Sequence, residues 1–295
     1  FRLKKSIRGT GIGAEMEQKM RLKGDLLILG TAFLWSFLGI VTKTVRYHGM
    51  TVAGVTSLMA VLVLLAVYGK KVLVWNRKTL FTGLVMALMN ITFLLANKCT
   101  TVANAIVLQY SSPIFVVLYY RIFQHKRLKR VQMCTVAVCF VGLLIFFAGQ
   151  LGSGNLHGNL LALSSGVLFA GSFYLNALPD NDPVSTNFLC NVFCAAAGLG
   201  YTLFGAAQSF EIQQTVLLVM AGVFCSGIAA VMYARGICYT TALNANLIAM
   251  SEVLMAPLWA LLLFGETVGA WAALGAGVMI VSILYETWFE SRSEA

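Results

Sequence analysis

Charge is scarce in this sequence, with 21 Lys and Arg and 11 Asp and Glu among 295 residues, or 11% of the chain. Soluble domains carry about a quarter of their residues as charge. Here 59% of the residues are hydrophobic and the mean hydropathy is +0.82, a composition that belongs in lipid. Polar runs long enough to fold alone are missing as well. A bilayer core takes roughly 20 apolar residues per helix, so ten spans consume about 200 residues and leave no room for a sizeable extramembrane domain. That excludes a receptor with a soluble ligand-binding module and a pump with its own ATPase domain. It also excludes nucleic acid as the partner that the +10 net charge serves. Histidines number three, and His48, His125 and His157 all fall in loops. The seven cysteines lie mostly within or at the ends of apolar spans, with no His or acid at metal-ligand spacing. Cys190 and Cys194 are one helical turn apart but lack further ligands, so they read as packing residues. No metal and no cofactor is expected.

Apolar stretches run over about 25–42, 52–69, 79–97, 101–120, 131–148, 158–178, 184–207, 214–234, 242–264 and 268–285. With a cytoplasmic N-terminus, eighteen of the 21 Lys and Arg fall in inside segments, and only Lys43, Arg46 and Lys98 fall outside. The positive-inside rule therefore places both termini in the cytoplasm. Residues 1–23 form a basic cytoplasmic tail without a signal-peptide core. Because the chain opens on Phe1, Met16 or Met20 is read as its initiator and the preceding residues as an upstream extension.

Internal repetition organises the rest. A shift of 134 lays Gly24-Asp25-Leu26-Leu27 on Gly158-Asn159-Leu160-Leu161. A shift of 140 lays Thr100-Thr101-Val102-Ala103-Asn104-Ala105 on Thr240-Thr241-Ala242-Leu243-Asn244-Ala245, and Ser111 on Ser251. The chain reads as an all-α polytopic membrane protein with ten transmembrane helices in two five-helix repeats, 24–148 and 158–288. Five is odd, so the second repeat enters the membrane from the opposite face, the inverted arrangement of secondary transporters.

The Thr-Thr-x-x-Asn-Ala runs, Leu108-Gln109-Tyr110-Ser111-Ser112-Pro113, and Ser251-Glu252-Val253-Leu254-Met255-Ala256-Pro257-Leu258-Trp259 followed by Gly265-Glu266 resemble the EamA repeats of the drug/metabolite transporter superfamily. The resemblance covers about Lys23 to Tyr285. It implies two inverted halves around a central cavity and transport of amino acids or other small metabolites, often outward, across a bacterial cytoplasmic membrane. Two positions depart from the family pattern. His125-Lys126 replaces the Gly-Glu that ends the first repeat, and Val253 stands where Pro often follows the acid of the ninth span.

Glu252 is the one acid near the middle of an expected span, where a carboxylate must be protonated, paired or turned to a wet cavity. It suits either a proton-coupling role or an encounter with a substrate amine, and equally a structural tie between helices. Gln109, Tyr110 and Ser112 on the fourth span and Asn90 on the third are expected to face inward with it, since unpaired amides and hydroxyls are costly in lipid. Trp35, Tyr174 and Tyr233 offer aromatic walls. Pro113 and Pro257 are expected to break or kink their helices. Ala245, Ala249, Glu252 and Ala256 make a stripe of small residues that serves either close packing or a pocket. No Lys or Arg lies deep in any span, which disfavours phosphorylated cargo. The reading is a secondary transporter of small metabolites working by alternating access, with the bilayer and a small-molecule substrate as partners and protons as the candidate coupling ion. An intramembrane enzyme would need paired Asp, Ser with His, or clustered ligands at membrane depth. A channel-like protein is the other alternative. Oligomeric state is left open, because Ala272, Ala273, Gly275, Ala276 and Gly277 suit both bundle sealing and dimer pairing.

Overall fold

The computed structural model describes residues 11–148, 150, 151, 155–205, 211–264 and 269–293. The first ten residues of the tail and the Gly265-Glu266 pair lie outside the described residues. Within them the chain is helical and contains no strand, since lipid leaves backbone groups no partner outside their own helix. The helices are α1 (Gly11–Thr44), α2 (Gly49–Tyr68), α3 (Arg77–Cys99), α4 (Val102–Gln109), α5 (Ser112–Phe123), α6 (Arg130–Phe146) and α7 (Leu156–Asn176). They continue as α8 (Pro183–Phe204), α9 (Ile212–Ala221), α10 (Ala229–Gly236), α11 (Ala242–Ala249), α12 (Ser251–Phe264) and α13 (Ala270–Ser293). Seven segments among the described residues are long and apolar enough to cross a membrane, and Arg130–Phe146 and Ala242–Met255 are apolar but shorter.

Short polar residues start these helices. Asn76 caps α3 in a reciprocal box with Thr79, and Asp182 caps α8 with Pro183 in its first turn. Thr101 and Thr241 cap α4 and α11 alike, each hydroxyl accepting from the amide of the Asn three residues on, at 3.2 Å. The first half of the Thr-Thr-x-x-Asn motif is thus a helix start.

Three long rods are interrupted. α4 and α5 join through Tyr110 and Ser111, α11 and α12 through Met250, and α9 passes into α10 through a π-helical segment, Gly222–Ile228. The π segment brings Gly222 and Gly227 against Met59 and Val63 of α2, where a Cβ would stand 2.8 and 2.7 Å from those side chains. α7 packs against α3, α4 and α5, while α1 packs against α10, α11 and α12. α2 pairs with α8 and α6 with α13. Each principal contact therefore joins the two halves of the chain, and neither half keeps its own first helix as a main partner. At Gly275 of the small-residue stripe on α13, a Cβ would lie 2.3 Å from Phe146 N, so this position seals α13 on α6, whereas Gly277 faces open space.

The sequence-derived boundary of the last span falls at 285, but α13 continues to Ser293 and buries Glu286 (0% exposed) and Glu290 (6%). Met279, Ile283, Glu286 and Glu290 follow helical spacing, so the buried face carries on past the end of the apolar run.

Candidate functional site

The interruptions in α4–α5 and α11–α12 meet in the centre of the bundle. Pro113, in the first turn of α5, has no N–H for the carbonyl of Gln109. α7 uses the gap: a Cβ on Gly166 would stand 2.6 Å from Leu108 O and 2.9 Å from Gln109 O, so only glycine admits this approach. The second copy breaks without proline. Met250 N donates to Leu247 O and Val253 N to Met250 O, both at 3.1 Å, tightening the chain to three-residue hydrogen bonds. Val253, which occupies the proline position, keeps the interruption. α12 runs on through Pro257, whose side chain, like that of Ala256, lies outside the described ones.

Tyr110 sits at the first interruption and Glu252 one residue into α12. The phenol donates to Glu252 Oε2 at 2.6 Å and is the carboxylate's only hydrogen-bond partner among the described residues. No Lys or Arg among them pairs with Glu252. Two residues on from Tyr110, Ser112 Oγ donates to Asn246 Oδ1 at 2.9 Å. The broken helices of opposite halves are thus tied twice, once through an acid. Asn246 is 0% exposed, yet its Nδ2 has no partner among the described residues, and neither does the hydroxyl of buried Ser251. A buried donor left unpaired costs about 1–3 kcal/mol, which a ligand acceptor would recover.

An aromatic row leads away from Tyr110. Its ring meets Phe169 at 5.7 Å, Phe169 meets Phe173 at 5.1 Å, Phe173 meets Tyr233 at 5.4 Å, and Tyr233 meets Trp35 at 6.0 Å. Trp35, Tyr233 and Tyr110 therefore lie along one row of ring contacts. Tyr174 belongs to a second cluster with Tyr119, Tyr120 and Phe123. Adjacent positions on α7 point about 100° apart, which separates Tyr174 from Phe173.

Two amides of the third and fourth spans have weak sulfur partners. Gln109 Nε2 donates to Met89 Sδ at 3.6 Å, and Asn90 Nδ2 to Cys190 Sγ at 3.5 Å. Asn90 is exposed, although Leu80, Leu84, Leu88 and Leu95 form the outward row of α3. It lies roughly 200° round the helix from Leu88 and so turns away from the outward row. Of the small-residue stripe, Ala245 and Ala249 are buried in helix packing. Nothing in the sequence marks Asn246, Phe169 and Phe173 as site residues, and Ser251 stands out only as the counterpart of Ser111. The rings look like ordinary apolar helix, while Asn246 is the counterpart of Ile106 and no repeat marks it.

A helical bundle of two interlocked halves, broken at matching points where Glu252 sits, is the architecture associated with secondary transporters. The profile of the EamA-like transporter family matches residues 22–148 and 156–286, and the chain belongs to that family of membrane transporters of small molecules. A solved crystal structure superposes with a TM-score of 0.79 over 92% of this chain and 99% of its own, at 16% identity, and so shares the fold. No curated protein matches the chain.

Proposed function

We propose that this protein is a secondary transporter of zwitterionic or cationic small metabolites, amino acids or related amines, across a bacterial cytoplasmic membrane. It would have ten spans, both termini cytoplasmic, and repeats 24–148 and 158–288 working by alternating access. The observation that carries this reading is the meeting of the two interruptions, where Glu252 is held by a phenol and flanked by the unpaired donors of Asn246 and Ser251. One carboxylate suits an ammonium group, the free amide and hydroxyl donors suit a carboxylate or carbonyl, and the aromatic row suits an apolar side chain. Protons are the proposed coupling ion, because Glu252 can exchange its Tyr110 bond and a proton for a substrate amine. The absence of deep Lys and Arg speaks against phosphate esters.

Thermal melting of the detergent-purified protein against a metabolite panel tests the substrate class, since ligands of the native state raise its stability. Amino acids or amines should raise the melting temperature, and Glu252→Gln should abolish the shift for amines. Stabilisation by sugar phosphates or nucleotides alone would overturn the proposal.

A further inference from the structure

The two repeated motifs meet each other in space, and they do so twice. At the end of the bundle away from the chain termini, Thr100 Oγ1 donates to Asn159 Oδ1 at 2.6 Å and Asn104 Nδ2 to the same atom at 3.3 Å. At the terminal end, Asn244 Nδ2 donates to Asp25 Oδ1 at 2.8 Å and to Thr240 Oγ1 at 3.2 Å. The partners correspond one to one under the repeat shifts: Thr100 with Thr240, Asn104 with Asn244, Asn159 with Asp25. In each case the first helix of one half is tied to the start of the fourth helix of the other.

The preceding glycines explain how the helices come so close. A Cβ on Gly158 would lie 2.6 Å from the Cys99 carbonyl carbon, and one on Gly24 would lie 2.7 Å from Tyr239 Cβ and 3.0 Å from Gly236 O. The sequence repeat Gly-Asp/Asn is therefore one half of a contact and Thr-Thr-x-x-Asn the other. Side chains needed only to cap α4 and α11 would not call for matching residues on α7 and α1.

We infer that these paired motifs are two inter-repeat latches, one closing each end of the transport path. The inference rests on the alternating-access reading and names the groups that hold each end shut. Opening an end requires α1 to part from α11, or α7 from α4, and these hydrogen bonds are what parting breaks. The latches differ in chemistry. The far latch is wholly neutral. The terminal latch uses a carboxylate, and α13 braces it: Thr287 Oγ1 donates to Asn244 Oδ1 at 3.0 Å and Thr241 Oγ1 to Glu290 Oε2 at 3.1 Å. α6, the counterpart of α13, ends at Phe146 after 17 residues against 24 and supplies no such brace among the described residues. A cavity of about 430 Å³ lined by Arg21, Asp25, Thr240, Asn244, Thr287 and Glu290 brings solvent up to the terminal latch.

Ala162 and Ile28, equivalent and buried one turn inward of Asn159 and Asp25, report on each end. Ala162→Cys and Ile28→Cys are made separately in a background whose native cysteines are replaced, and maleimide labelling is timed on the monodisperse protein. Asn104→Ala should speed labelling at position 162 about fivefold to tenfold, as expected for loss of one hydrogen bond, and leave position 28 unchanged; Asn244→Ala, which removes the bonds to Asp25, Thr240 and Thr287, should speed position 28 at least as much and leave position 162 unchanged. Asp25→Asn, which copies the other latch, should stay within about twofold of the parent at position 28. Thr100→Val and Thr240→Val, nearly isosteric, remove the hydroxyl that donates to Asn159 and the one that accepts from Asn244, and decide the question should an Asn variant fail to fold. Equal responses at both positions, or none, would overturn the latches. Counterflow of a radiolabelled amino-acid mixture by wild-type proteoliposomes is run alongside. Selective labelling without counterflow would leave the latches standing and sink alternating access, whereas counterflow without selective labelling would do the opposite.

Discussion

Glu252 is held by one phenol, and that single bond sets what its substitutions should do. Glu252→Gln keeps a group of the same shape and should preserve the fold while abolishing uptake driven by a pH gradient, measured in proteoliposomes. Glu252→Ala should lower stability by about 1–3 kcal/mol, because the buried Tyr110 hydroxyl is left without its acceptor. Full pH-driven transport by Glu252→Gln would reduce the residue to a structural tie. Glu252 was legible from sequence because acids are rare enough for one at membrane depth to stand out. Gln109, Asn90, Tyr110 and Ser112 followed from the cost of polar groups in lipid. Asn246 did not, since an amide in a helix buried on every side leaves no amphipathic pattern to betray it. Tyr174 was read as a wall residue on type alone, and only the geometry of α7 assigns it to another aromatic cluster.

At the scale of helices, proline is the visible mark of an interruption but not its sole cause. Pro113 accompanies the break in the fourth rod, while the ninth breaks at Met250 with Val253 in the corresponding place. Pro113→Val should therefore leave the interruption intact, with amide hydrogen exchange over Tyr110–Ile114 unchanged; a gain in protection there would show that proline alone holds it open. Close packing rests instead on glycine. A Cβ on Gly198 would meet Met50 O at 2.4 Å and Gly54 Cα at 2.5 Å, where α8 crosses α2. Gly198→Ala should cost about 1–3 kcal/mol and lower the melting temperature in detergent, while Gly277→Ala, facing open space, should be neutral. Such crossings were not legible, because a glycine between apolar neighbours reads the same whether it touches a backbone or lipid. The π segment was hidden for a related reason: its apolar run continues unbroken through Gly222–Ile228.

For the whole molecule, duplication is the property from which the rest follows. The repeat offsets were read from the Thr-Thr-x-x-Asn and Gly-Asp/Asn runs, but that these two runs touch across the halves needed coordinates, since similarity within a chain says nothing about which copy packs on which. Charge adds the orientation. Eighteen of 21 basic residues lie on one side of the proposed ten-span topology, so Leu128→Cys in a cysteine-free background should resist impermeant maleimide from outside the cell. Labelling there would reverse the topology.

The central proposal is that two interlocked halves expose one site to each side in turn. Counterflow by proteoliposomes loaded with unlabelled amino acids tests it most directly. External radiolabelled amino acids should accumulate transiently above equilibrium, with a rate that saturates as their concentration rises. Linear, unsaturable entry with no overshoot would contradict it.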